Sequence, residues 1–237
     1  MSPIQAVIKI NIKVVLFTLL GITLFLIFAR VTTELFALRT GHDALFGLVR
    51  LFDLDEEGNI PSYFSALILM IAALLLLFIA KQKIASHDTF RIQWMALSLM
   101  FIYMSADEAA SIHELADRPL RALLGNHANG VLHFSWVIAF VPIVLFVALY
   151  FLRFLLHFPR KTQFFITVSA AMFLFGAMGM EMLQAVYVTT HIKLDFFILL
   201  VTTIEETLEM LGVILFIAIL LQYIEQTYRQ LSIEFHH

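Results

Sequence analysis

The chain has 237 residues, of which 61% are hydrophobic and 14% charged, with a formal net charge of −3 and no cysteine. That is more apolar surface than a core of this size can hide, which excludes an ordinary soluble domain, and the missing cysteines exclude disulfides and thiolate metal sites. The sequence predicts an all-α fold: a single polytopic membrane helix bundle over residues 1–237, with the lipid bilayer as its first partner and no nucleic acid expected.

Six transmembrane helices are predicted, at about 12–34, 63–83, 91–112, 131–153, 163–188 and 197–224. The first could be read as a signal peptide, because Lys9 and Lys13 precede an apolar stretch. Val14 to Ala29 is long for such a segment, however, and Phe28-Ala29-Arg30 offers no small-x-small cleavage site, so it is assigned as a span. Arg30 at its end is the natural counter-charge for the acids near Glu181, unless Glu34, four residues on, takes it first.

The long link that follows carries Asp53-Leu54-Asp55-Glu56-Glu57-Gly58-Asn59-Ile60-Pro61, which has the acids and glycine of the first half of a calcium loop. Phe64 stands where the bidentate glutamate belongs, so a solvated charged turn is the favoured reading.

The third span ends in Asp107-Glu108-Ala109-Ala110-Ser111-Ile112-His113-Glu114 with no helix breaker before Pro119. If the helix continues, Asp107, Ser111 and Glu114 form one stripe and Glu108 adjoins it. Glu108 and His113 are five apart, unlike the Glu-x-x-His spacing of di-iron helices. In the fourth span, His133 is a boundary residue and Pro142 marks a kink.

Gly176 and Gly179 precede Glu181 in the fifth span and allow another helix to approach closely. In the sixth, Glu205 and Glu209 share a face with Thr202 and Gly212, whereas Glu206 points roughly 100° away. From Phe196 to Ile224 one helix would run about 43 Å against a hydrocarbon core of roughly 30 Å. Gln222, Tyr223 and Glu225 fix its inner end, so the three glutamates fall near the outer boundary.

Lysine placement sets the orientation. Lys9, Lys13, Lys81, Lys83 and Lys161 share one side and only Lys193 is on the other, which gives N-in, C-in topology. All acidic residues except Asp88, Glu225 and Glu234 then lie outside. Charge at a hydrocarbon boundary needs pairing, water or a cation, so such clusters read as functional sites unless they are merely a solvated rim.

Three stretches together resemble a family of uncharacterised six-span bacterial membrane proteins: Phe52-Asp53-Leu54 through Asn59-Ile60-Pro61 to Phe64-Ser65, Asp107-Glu108 to His113-Glu114, and Glu205-Glu206 to Glu209-Met210 with Gly212. The resemblance implies a multi-pass protein of a bacterial inner membrane and brings no activity with it. A weaker likeness is to alkaline ceramidases, which place an acidic, Asn-containing calcium loop before a span. Those zinc hydrolases also carry a late His-x-x-x-His, absent here, and a Ser-x-x-x-His that no span of this chain contains.

The expected function is a cation site at the outer boundary of a metal-dependent membrane enzyme acting on a lipid-like substrate. Glu108, His113, Glu181, Glu205 and Glu209 are the candidate ligands, and Glu206 or Glu114 the candidate general base. Carboxylates with one imidazole suit a divalent iron, manganese, magnesium or calcium ion. The alternatives are a proton- or cation-coupled transporter, in which Glu205 and Glu209 change protonation, and an accessory subunit of a membrane complex.

Overall fold

A computed structural model describes residues 11–41, 45–54, 56–112, 115, 119, 136–190 and 196–228. Among them every regular element is helical. Helix α1 is Ile12–Thr40, α2 the short Leu48–Leu51, α3 Ile60–Ala85, α4 Arg91–Ala110, α5 Trp136–Leu156, α6 Arg160–Leu174, α7 Glu181–Thr190 and α8 Phe196–Thr227. A π-helical turn, Phe175–Met180, joins α6 to α7 without a break.

Side chains at the helix ends explain the boundaries. Asn11 accepts from the backbone N–H groups of Lys13 and Val14 to start α1, and Gly41, at φ +68°, ends it by donating its N–H to the Ala37 carbonyl. Asn59 and Ser62 form a reciprocal capping box at the start of α3, with Pro61 in the first turn. The side chain of Asn59 also donates to the Arg50 and Asp53 carbonyls, closing the link 53–59 onto the helix it begins.

This overturns two local expectations. Asp53 does not belong to a merely solvated turn: it pairs with Arg30, which is 5% exposed. Arg30 therefore takes its partner from across the link instead of from Glu34. Asp55 lies outside the described residues. The stripe expected to run from Asp107 through Ser111 to Glu114 is also interrupted, because Ser111 adopts a left-handed conformation (φ +51°) that ends α4.

α3 and α4 form a tight antiparallel hairpin through the turn 86–90. Ser98 donates to the Ala73 carbonyl at 2.9 Å and Ser105 to the Ala66 carbonyl at 2.7 Å, so two hydroxyls on one face of α4 pin it to α3. α8 packs against α1, α3 and α6. Leu26, Ile68, Leu76, Ile79, Met210 and Ile217 form the centre of the core, and α5 reaches it through Phe151 and Phe154, with Phe158 following in the turn after the helix.

Four helical stretches are long and apolar enough to cross a membrane, Ile12–Ala37, Ile60–Ala85, Arg160–Thr189 and Phe196–Thr227. α4 carries Asp107 and Glu108 in its last turn, and the apolar part of α5, Phe140–Leu156, is shorter. Pro142 lies inside α5 without ending it, since the helix runs on to Leu156. Exposed Phe17, Leu24, Phe28, Leu67, Phe146 and Leu149 give the bundle a greasy exterior that suits lipid and not water. The chain reads as a membrane protein.

Candidate carboxylate site

The last turn of α4, the start of α7 and the first half of α8 come together toward one end of the bundle. Glu209 of α8 lies within electrostatic reach of Glu108 on α4, Glu181 on α7 and Glu205 on its own helix. All four are half-buried. Carboxylates gathered in this way repel unless protons or a cation intervene.

The packing that brings them together depends on glycine. A β-carbon at Gly176 would lie 2.8 Å from Glu209 Cγ and 2.9 Å from the Glu205 carbonyl oxygen, so only the missing side chain lets the π turn rest on α8 at this level. One turn deeper, Gly212 fits against the Phe173 N–H and the Ser169 carbonyl, each 3.0 Å from where its β-carbon would be. Ser169 Oγ donates to the Gly212 carbonyl at 2.8 Å, fixing the register of α6 on α8.

The π turn aims Glu181. In a regular α-helix, five residues from Gly176 would place a side chain about 140° from the face that touches α8. The wider π turn takes up more residues per revolution, which swings position 181 back toward the side on which Gly176 meets α8. Phe175 reinforces the turn, because its ring occupies the space that a β-carbon on Gly179 would need, at 2.8 Å.

Glu206, also half-buried, projects from the adjoining face of α8. The threonines of this helix are committed to their own backbone: Thr202 donates to the Ile198 carbonyl and Thr207 to that of Thr203. The sequence reading missed buried Gln184, three residues beyond Glu181 and hence on nearly the same face of α7. That spacing was the available signal.

His113, Glu114 and His133 lie outside the described residues. Among the described residues no three acidic or histidine side chains are placed to hold a metal ion. The donor chemistry suits a hard cation.

Residues 14–224 match the model of a family described as a domain of unknown function, DUF8692. The chain belongs to that family. The match includes Glu108, Glu181, Glu205 and Glu209, so the carboxylate cluster is contained within the DUF8692 unit. No curated protein and no solved structure matches the chain, and the likeness to alkaline ceramidases gains no support.

Proposed function

We propose that this DUF8692 protein is a multi-pass protein of a bacterial inner membrane, with six spans and both termini in the cytoplasm, whose outer carboxylate cluster binds a hard divalent cation. The observation that carries the reading is the approach of Glu108, Glu181 and Glu205 to Glu209 from three helical segments, held by the glycine contact at Gly176. Oxygen donors at a hydrocarbon boundary favour iron, manganese, magnesium or calcium, with His113 completing the set.

Such an ion would act as a Lewis acid on a lipid-like substrate entering from the bilayer. Glu205 and Glu209 would hold and orient it, and Glu206 or Glu114 would accept a proton from the attacking group. A second reading is favoured by the lack of a ready three-ligand set among the described residues. In it the cluster takes up protons, as in a coupled transporter.

Metal content and thermal unfolding of the purified full chain, with and without chelator, separate the two. A bound ion that Glu205→Gln and Glu209→Gln each remove, with unfolding temperature unchanged or raised, supports the cation site, because neutralising one carboxylate relieves repulsion. Metal-free protein in which Glu209→Gln alone raises stability at neutral pH supports the proton reading. If the variants change neither metal content nor stability, the acids are a solvated rim.

A further inference from the structure

The opposite end of the bundle holds a cavity of about 140 Å³, lined by Lys83, Asp88, Phe90, Trp94, Phe154, His157, Phe158, Pro159 and Tyr223. It lies fourteen residues along α8 from Glu209, measured to Tyr223, or about 21 Å of helix. It is therefore a separate site. We propose that this cavity binds the phosphate of an anionic phospholipid headgroup.

Four observations converge on that ligand. The first is the wall: Trp94 packs edge-on to Phe154 at 5.0 Å and Phe158 at 5.9 Å, and lies 5.1 Å from Tyr223, giving an apolar, rigid enclosure at the ends of apolar helices. Aromatic residues with polar tips gather where headgroups meet hydrocarbon. The second is the polar floor. Lys83 Nζ sits 3.0 Å from Asp88 Oδ2 and 5.8 Å from the Tyr223 ring centre, and His157 contacts Phe90 with ring centres 4.8 Å apart.

Charge is the third. Asp88 is already engaged, accepting from Lys83 and, at 2.8 Å, from the Phe90 N–H, so it neutralises only part of the local cationic field. Lys81, Arg91, Arg153, Arg160 and Lys161 lie on the ends of α3, α4, α5 and α6 that adjoin the turns carrying Asp88 and His157. The first turn of α6, which begins beside Pro159, has no side-chain cap, so its N–H groups add positive potential there. Size is the fourth: the volume corresponds to several waters at roughly 30 Å³ each, room for a phosphate and part of its ester but not for an acyl chain. The chains would stay in the bilayer outside.

The assignment rests on the membrane-spanning reading and is independent of the carboxylate cluster. Native mass spectrometry of the detergent-purified full chain, titrated with dioleoyl phosphatidylglycerol or dioleoyl phosphatidylcholine, tests it. Phosphatidylglycerol should be retained preferentially. Lys83→Gln and His157→Gln should each weaken retention roughly tenfold, the equivalent of one charge-assisted hydrogen bond, while Arg39→Gln at the other end leaves it unchanged. His157→Gln keeps the Lys83–Asp88 pair and so guards against a folding defect in the lysine variant. Equal retention in wild type and both variants overturns the proposal. So does displacement of the lipid by an equal concentration of inorganic phosphate, which would assign the cavity to the free ion. Metal content measured on the same samples reports the carboxylate site separately, and extraction of the chain without detergent would overturn the membrane reading itself.

Discussion

Gly176 and Glu209 touch so closely that a β-carbon on the glycine would fall 2.8 Å from Cγ of the glutamate. The contact couples the shape of the π turn to the position of a carboxylate. Gly176→Ala should therefore cost about 1–3 kcal/mol through overpacking and weaken cation uptake at the same time. Gly21→Ala is the control: it has open space around it within α1, and removing a helical glycine there should be neutral or stabilise by about 0.5–1 kcal/mol. Thermal unfolding of the two variants in detergent, with bound metal measured in parallel, checks both expectations. Equal stability of the two would show that the π turn has room to move.

The Arg30–Asp53 pair should respond asymmetrically. Arg30 is the deeper partner, its side chain 6% exposed against 18% for Asp53. Asp53→Asn strands a buried guanidinium and should cost about 3 kcal/mol, whereas Arg30→Leu leaves a carboxylate that retains some water and should cost less. The double variant should recover most of the loss. Denaturant or thermal midpoints of the three proteins measure this, and equal losses in the two single variants would contradict the difference in burial.

Asp88 lies in the turn between α3 and α4, outside the spans. Burial works against its charged form, but the Phe90 N–H and the Lys83 ammonium outweigh it and hold the carboxyl below its ordinary range. A folded value below the unfolded one, about 3.9 for free aspartate, means that the stabilisation is complete above that pH and disappears as pH falls through the lower folded value. The gap in unfolding temperature between wild type and Asp88→Asn should thus be constant from pH 7 to 5 and close below about pH 4. A gap that does not narrow at all as pH falls below 4 would show that ionisation of this carboxyl contributes nothing to the stability of the fold.

Reporter fusions test the proposed orientation. Those after Lys83 and Lys161 should read cytoplasmic, and those in 40–60 and 120–128 periplasmic, because Lys81, Lys83 and Lys161 carry the positive-inside signal. A periplasmic label at position 83 would reverse the molecule and put the carboxylates in the cytoplasm.

Much of the architecture was legible because hydrophobic periodicity and helix-end residues are local signals. Four of the predicted spans coincide with helices long and apolar enough to cross a membrane, the described residues of the other two are largely helical, and Gly176 was readable as a point of close approach. Three features were not. Ser111 leaving the helix depends on a backbone conformation that serine adopts only when its surroundings demand it. The π turn arises from the fit of the Phe175 ring over Gly179 together with α8 against Gly176, and packing of that kind leaves no trace in residue spacing. The Arg30–Asp53 pair joins residues 23 apart through a link whose path only the structure supplies, while the sequence offered Glu34 four residues away. For the carboxylates, the sequence singled out acids on apolar helices, and the fold brings Glu108, Glu181 and Glu205 within electrostatic reach of Glu209.

The Ser169–Gly212 contact has a mechanical consequence. Where two helices touch backbone to backbone and share a hydrogen bond, sliding one along the other must break both, so shear is blocked and rocking is the freedom that remains. Gly212 then acts as a fulcrum on α8, with Glu209 on one short arm and Tyr223 on a longer arm of about 16 Å toward the aromatic cavity. Any swing about this contact at the cavity end would become a smaller swing of opposite sense at the carboxylates, the two ends of α8 being the arms of one lever.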